Sequence, residues 1–335
     1  VNAQRSPVLR RIGLTCMVCG LALAAAGTVG LALGSSDLGF SGVWRVLTGK
    51  EPPDSTIASI VWNLRFPRVM LAAVVGATLS LGGLVFQALL RNPLAEPYIL
   101  GISGGSAVGA IAGILLGMAR AGIALMAFSG SAGTLLLVLV LSSGRGPART
   151  DTLLLAGVMV NAFCSAVIMF LVSLTQDARL HNILFWIMGD LSMSGGRAVL
   201  YLALSVAPCM VVVFVLARPM NLLLLGQESA AHMGVNVRAV TVTLLLLTSF
   251  MVSATVSHCG LVGFVGLVMP HLFRMVLGPD HRVLVPTCLL GGGTYMVVCD
   301  LIARTLPEQG EMPVGVVTAL VGAPLFVVLL KRSAR

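Results

Sequence analysis

A serine flanked by glycines, Gly101-Ile102-Ser103-Gly104-Gly105, matches the G-x-S-x-G pattern of a nucleophilic hydroxyl on a strained turn. The chemistry would be acyl transfer, and His258 or His271, on other apolar segments, would serve as the base. That nucleophile requires a strand-to-helix elbow, whereas Ser103 opens an apolar helical run in which glycine has a packing use. An intramembrane serine protease using Ser103 is therefore carried as an alternative, and no catalytic residue is assigned. Cys16 and Cys19 have the spacing of half a metal site, but no second ligand pair follows. The five histidines are dispersed without an H-E-x-x-H pair, so no metal is expected and the seven cysteines read as small core residues. No phosphate-cradling G-x-x-x-x-G-K-[ST] loop occurs, since Gly49-Lys50 runs into Glu51. If ATP drives this protein, another chain hydrolyses it.

Three ionic groups remain. Arg65-Phe66-Pro67-Arg68 sets two cations at the mouth of an apolar run. Asp300 and Arg304, four apart, share a helix face and are placed to pair. Pro270-His271 is followed by Arg274. A polar loop, Leu225-Gly226-Gln227-Glu228-Ser229-Ala230-Ala231-His232-Met233-Gly234, predicts a short surface helix over 227–233, with Gly234 as its C-cap.

These groups must be positioned by elements suited to lipid. Of 335 residues, 57% are hydrophobic and 10% charged, far below the roughly 25% of soluble domains. At about 20 residues per crossing, the apolar runs predict ten spans near 12–33, 66–90, 98–118, 121–142, 152–174, 198–217, 239–257, 261–278, 283–303 and 313–330. The fold class expected is all-α, a single transmembrane domain over 1–335. The run 12–33 is longer than the apolar part of a signal peptide, so it reads as a retained span. The segment 261–278, interrupted by Pro270, reads as short or broken, and 183–193 as a re-entrant or interfacial piece. An even span count with the N-terminus inside places 13 basic residues inside and eight outside, the bias of the positive-inside rule. Both termini are thus expected in the cytoplasm. The basic residues are scattered singly, which excludes a nucleic-acid surface and leaves membrane lipid as the surrounding partner. Gly101, Gly105, Gly109, Gly113 and Gly117 recur every fourth residue, a small-residue stripe for close helix packing.

At these residues the chain resembles the FecCD-type iron-siderophore, haem and vitamin B12 permeases of ATP-binding-cassette importers. The resemblance is carried by Arg65-Phe66-Pro67-Arg68, by Gly82-Gly83 with Gln87, and by the stretch from Arg91-Asn92-Pro93-Leu94 to Gly101. It continues in Trp186-Ile187-Met188-Gly189, the 225–234 loop, and Gly260 to His271 with Arg274. Glu311-Met312-Pro313-Val314-Gly315, Thr318-Ala319 and Gly322-Ala323-Pro324 complete it. The resemblance implies the type II importer permease fold, working as a homodimer with the path between copies in a bacterial inner membrane. It implies two cytoplasmic ATPase subunits that bind ATP and Mg, a periplasmic binding protein, and no cofactor on this chain. By motif position, Arg65, Arg68 and Arg304 would meet acidic groups of the binding protein. The 226–234 loop would contact the ATPase. Asn92, Leu94, Thr150 and Asp151 would narrow the inner end of the path, although Asp151 departs from the small uncharged residue expected there. The cargo expected first is a ferric siderophore, with haem and corrinoid beside it. A secondary, ion-coupled transporter is the other alternative; it would need midplane ionisable groups, of which the spans have few.

Overall fold

Apolar runs of the length a bilayer demands fold as helices, because only an internally bonded backbone is stable in hydrocarbon. The computed structural model describes residues 5–34, 39–52, 54–142, 150–175, 177–192, 195–307 and 310–333. Helices α1 (Arg5–Ala32), α2 (Gly39–Leu47) and α3 (Thr56–Ser59) lead through a π-helical turn, Ile60–Arg65, into α4 (Phe66–Leu90). Then follow α5 (Ile102–Leu115), α6 (Arg120–Ser142), α7 (Thr150–Ser173), α8 (Asp177–Met188) and α9 (Gly196–Val215). The chain continues as α10 (Ala217–Leu224), α11 (Gln227–His232), α12 (Val237–Cys259), α13 (Val265–Leu277), α14 (His281–Thr305) and α15 (Val314–Ser333). Among the described residues there is no strand.

Eight of the expected spans are helices long and apolar enough to cross a membrane. The other two are shorter. Helices α5 and α13 have 14 and 13 residues, roughly 20 Å each against a hydrocarbon core of about 30 Å. Each is preceded by non-helical chain, 91–101 and 260–264. Hydropathy registers Tyr98 to Leu100 as part of a span, but Pro97 and the left-handed Gly101 (φ 78°) delay the helix to Ile102. Of the piece expected over 183–193, residues 183–188 are the second half of α8 and 189–192 follow it, and Met193 lies outside the described residues.

Helix α4 is the axis of the fold, packed by α1, α9, α12, α13 and α14. Its glycines set that closeness: a Cβ on Gly76 would fall on the backbone of Gly292 in α14, and one on Gly83 on the backbone of Gly266 in α13. The predicted glycine stripe divides. Gly105, Gly109 and Gly113 lie against Gly130, Met126 and Ile123 of α6, whereas Gly101 lies against Val160 of α7. Gly117 departs from the expected packing: it follows the end of α5 at φ 67°, and nothing lies within 4 Å of a Cβ built there. Its work is the turn into α6, which few other residues accept.

Candidate functional site

The arginine end of the molecule is shaped by a missing donor. Pro67 has no N–H to bond the preceding turn, and just ahead of it the helix widens, Phe66 N–H bonding Val61 O five residues back. Within that wide turn Arg65 swings to the end of α1, where its Nη1 donates to Leu31 O (2.7 Å) and Ala32 O (2.9 Å). From α14, Arg304 Nη2 donates to Gly30 O (3.1 Å). Both cations thus satisfy the orphan carbonyls at the C-terminus of α1, where its dipole favours positive charge. Arg68 Nε donates to Asp300 Oδ1 (2.9 Å) and its Nη1 to Glu311 Oε2 (2.6 Å). Asp300 Oδ2 lies 3.1 Å from Arg304 Nε but off the line of a hydrogen bond, so charge alone holds that pair.

Arg65, Arg68 and Arg304, expected to meet a binding protein, are thus engaged with partners within the chain. Arg65 and Arg304 are buried, and the Arg68 side chain is 11% exposed. The pairing of Asp300 with Arg304 was readable from their spacing; Glu311, 243 residues from Arg68, was not assigned a role. Among the described residues, Arg65, Arg68 and Arg304 meet Asp300 and Glu311 at this end.

Deeper in, four motif stretches meet around the non-helical backbone 260–264. Tyr98 O–H donates to Val262 O (2.9 Å) and accepts from Val262 N–H (3.3 Å). Asp190 N–H donates to Cys259 O (2.8 Å), and Val314 N–H to Gly189 O (3.0 Å). A Cβ on Gly260 would strike Trp186 O, and one on Gly315 would approach Leu261 O to 2.9 Å. Backbone that leaves helix at membrane depth must be enclosed by protein, and here Cys259 and Val262 are both 1% exposed. The ends of α8 and α12 and the start of α15 are thereby joined at one knot.

At the opposite end, α11 spans Gln227–His232, within the predicted helix. Val235 N–H bonds Ala230 O (3.0 Å) and Gly234 N–H bonds Ala231 O (2.9 Å), the paired closure of a Schellman motif with Gly234 at φ 83°. Gly226, at φ 119°, opens the helix, Ala230 anchors it, and Glu228, Ser229 and His232 to Gly234 are exposed. Asn236 caps α12 by accepting from Ala239 N–H (3.0 Å). Beside the loop, Arg91 Nη2 donates to Leu223 O (3.1 Å), and Asn92 Oδ1 accepts from Leu94 N–H (2.9 Å). Leu94 is exposed. The side chains of Thr150 and Asp151 lie outside the described residues.

Asn221 of α10 donates to Asp280 (2.7 Å) and accepts from His281 N–H (2.8 Å), tying α10 to α14. Burial raises the Asp280 carboxyl, but hydrogen bonds from Arg282 and Asn221 overcome it and hold it at about 2. Asp280 and Arg11, which bonds Leu277 O (2.8 Å), line a cleft of about 590 Å³ at this end. A larger cavity of about 1160 Å³ opens among α5, α6, α8, α9 and α12, lined by Phe128, Trp186, Tyr201 and His258 among others. No single motif signals it, because its walls come from distant segments.

Ser103 and His258 are each engaged with other partners. Ser103 Oγ donates to Asn161 Oδ1 (3.4 Å), while His258 Nδ1 is engaged with Ser257 Oγ and Ala254 O. Among the described residues no group of three or more potential ligands is placed to hold a metal.

The profile of the FecCD transport family matches residues 21–332. The hemin transport system permease protein HmuU of Yersinia pestis is 38% identical over 316 residues, covering 90% of this chain and 92% of that protein. The cobalamin import system permease protein BtuC of Halobacterium salinarum is 41% identical over 277 residues, 82% of this chain and 74% of that one. Among solved structures, an inward-facing metal-chelate type ABC transporter superposes with a TM-score of 0.85 at 31% identity, covering 95% of this chain and 98% of that one.

Proposed function

Because this chain belongs to the FecCD transport family, we propose that it is the permease of an ATP-binding-cassette importer for an iron chelate or corrinoid, moved inward by alternating access. The observation that carries this reading is the superposition on a metal-chelate ABC transporter over 95% of the chain. A ferric siderophore, haem and a corrinoid are the cargo classes. The names of relatives support the second and third, and the metal-chelate neighbour supports the first two.

Two copies enclose the path in the bacterial inner membrane, with both termini in the cytoplasm. The exposed apolar residues of α7, among them Met159, Phe163 and Phe170, face lipid or the second copy. The 226–234 loop seats in a cytoplasmic ATPase that binds ATP and Mg, and this chain holds no cofactor of its own. Asn92 and Leu94, beside that loop, narrow the inner end of the path together with Thr150 and Asp151. The arginine end receives an extracytoplasmic binding protein. ATP binding in the partner shifts the population between outward-open and inward-open dimers.

The test is uptake into proteoliposomes holding the permease, its ATPase and its binding protein. Ferric siderophore, hemin and cobalamin are offered separately. Accumulation of one cargo that stops without ATP is expected. Accumulation driven by a proton or sodium gradient without ATP would establish the ion-coupled alternative instead.

A further inference from the structure

Arg65 and Arg304 are spent on α1, and Asp300 is enclosed at 1% exposure between two arginines. Removing Asp300 from that pocket would strand two buried cations, which is prohibitive. Glu311 differs on every count. Its side chain is 37% exposed, and it stands on the connection between α14 and α15, three residues ahead of Val314. Its pairing with Arg68 at 2.6 Å is the contact of the cluster that water can reach and compete with. Arg68 already holds a carboxylate at this edge, so another carboxylate is the group fitted to take that place.

We propose that Glu311 is an internal placeholder: a carboxylate of the extracytoplasmic partner replaces it at Arg68, and the exchange frees the α14–α15 connection. The inference rests on the importer reading and adds a regulatory step to it. One carboxylate leaves Arg68 as another arrives, so the charge around the buried arginines is unchanged and Glu311 passes into water. Among the described residues of the freed segment, Met312 N–H bonds Ala303 O (3.1 Å) and, at its end, Val314 N–H bonds Gly189 O (3.0 Å). The second of these enters the knot that joins α8, α12 and α15. Docking at the surface thereby reaches the start of α15 without moving Arg65 or Arg304.

The experiment measures binding-protein affinity for the full permease–ATPase complex in nanodiscs at low salt. Glu311→Gln keeps the shape and removes the competing charge, so affinity is expected to rise about 3- to 10-fold. The gain is expected to vanish in Arg68→Gln/Glu311→Gln. A Val314→Cys reporter, buried in the closed connection, should react faster with a maleimide once the binding protein is added, and already fast in Glu311→Gln without it. Equal or weaker binding by Glu311→Gln overturns the exchange, as does a gain that survives loss of Arg68. Binding by wild type in the same assay is the separate check on the importer reading. If neither protein binds, that reading goes, and the exchange goes with it.

Discussion

At Gly83 the backbone of α4 lies against that of Gly266 in α13, and Gly83→Ala perturbs that seam. The new methyl would overlap the carbonyl of Gly266 and come within 2.6 Å of its Cα. Backbone cannot rotate away as a side chain does, so α13 must retreat by more than about 1 Å, enough to forfeit about half or more of the dispersion along that seam. Overpacking of this kind costs about 1–3 kcal/mol. The retreat also stretches the bond from Gln87 Nε2 to Gly266 O, now 3.2 Å, worth about 1 kcal/mol. Gln87 accepts from Arg274 Nη2 (3.1 Å) as well, so that link loosens too. The sum is about 2–4 kcal/mol, which lowers the midpoint of thermal unfolding by roughly 3–6 °C for a chain of this size. The assay is the melting of detergent-purified protein, followed by loss of the monodisperse chromatographic peak. Gly133→Ala on α6 is the control, since nothing lies within 4 Å of its Cβ position. It should stay within about 0.5 kcal/mol of wild type. A Gly83→Ala protein that melts like Gly133→Ala would refute the claim that backbone contact sets this seam.

Asp300→Asn takes the shared charge from Arg68 and Arg304 and should destabilise by about 3–5 kcal/mol, seen as early aggregation in the same melting assay. Asp280, whose folded carboxyl is depressed from 3.8 to about 2, contributes stability that is present above its unfolded value and lost as pH falls through the folded one. Wild type should therefore lose more thermal stability than Asp280→Asn between pH about 5 and about 2, and parallel curves would exclude the linkage. Ser103→Ala should leave ATP-driven uptake unchanged, and wild type should resist a fluorophosphonate; labelling at Ser103 would restore the protease alternative.

Local rules reached only those features whose causes are local. Hydropathy located the long helices because burial in lipid is written residue by residue. Pairing of Asp300 with Arg304 followed from one helical turn, and the C-cap at Gly234 from glycine's tolerance of positive φ. The partners of Arg68 stand 232 and 243 residues away, and periodicity carries no information at that range. Arg65 illustrates the same limit, because its direction depends on where α1 ends as well as on Pro67. The four-residue glycine register ran on to Gly117, since spacing alone does not reveal that α5 stops at Leu115. Conversely, the contacts of Gly76 with Gly292 and of Gly83 with Gly266 join residues far apart in the chain, which spacing within one run does not pair. Each is a meeting of two helices visible only when both are placed.

The closure of α11 has a mechanical consequence. A six-residue helix is ordinarily too short to hold its own shape in water, but this one is locked by a left-handed glycine at each end and by the cap that Asn236 places on α12. A load applied to its outer face finds no slack to take up. Its flanking elements are α10 and α12, and α10 is tied to α14 through Asn221 and Asp280. The expected response to force delivered there is rotation of whole helices, with the loop itself staying wound.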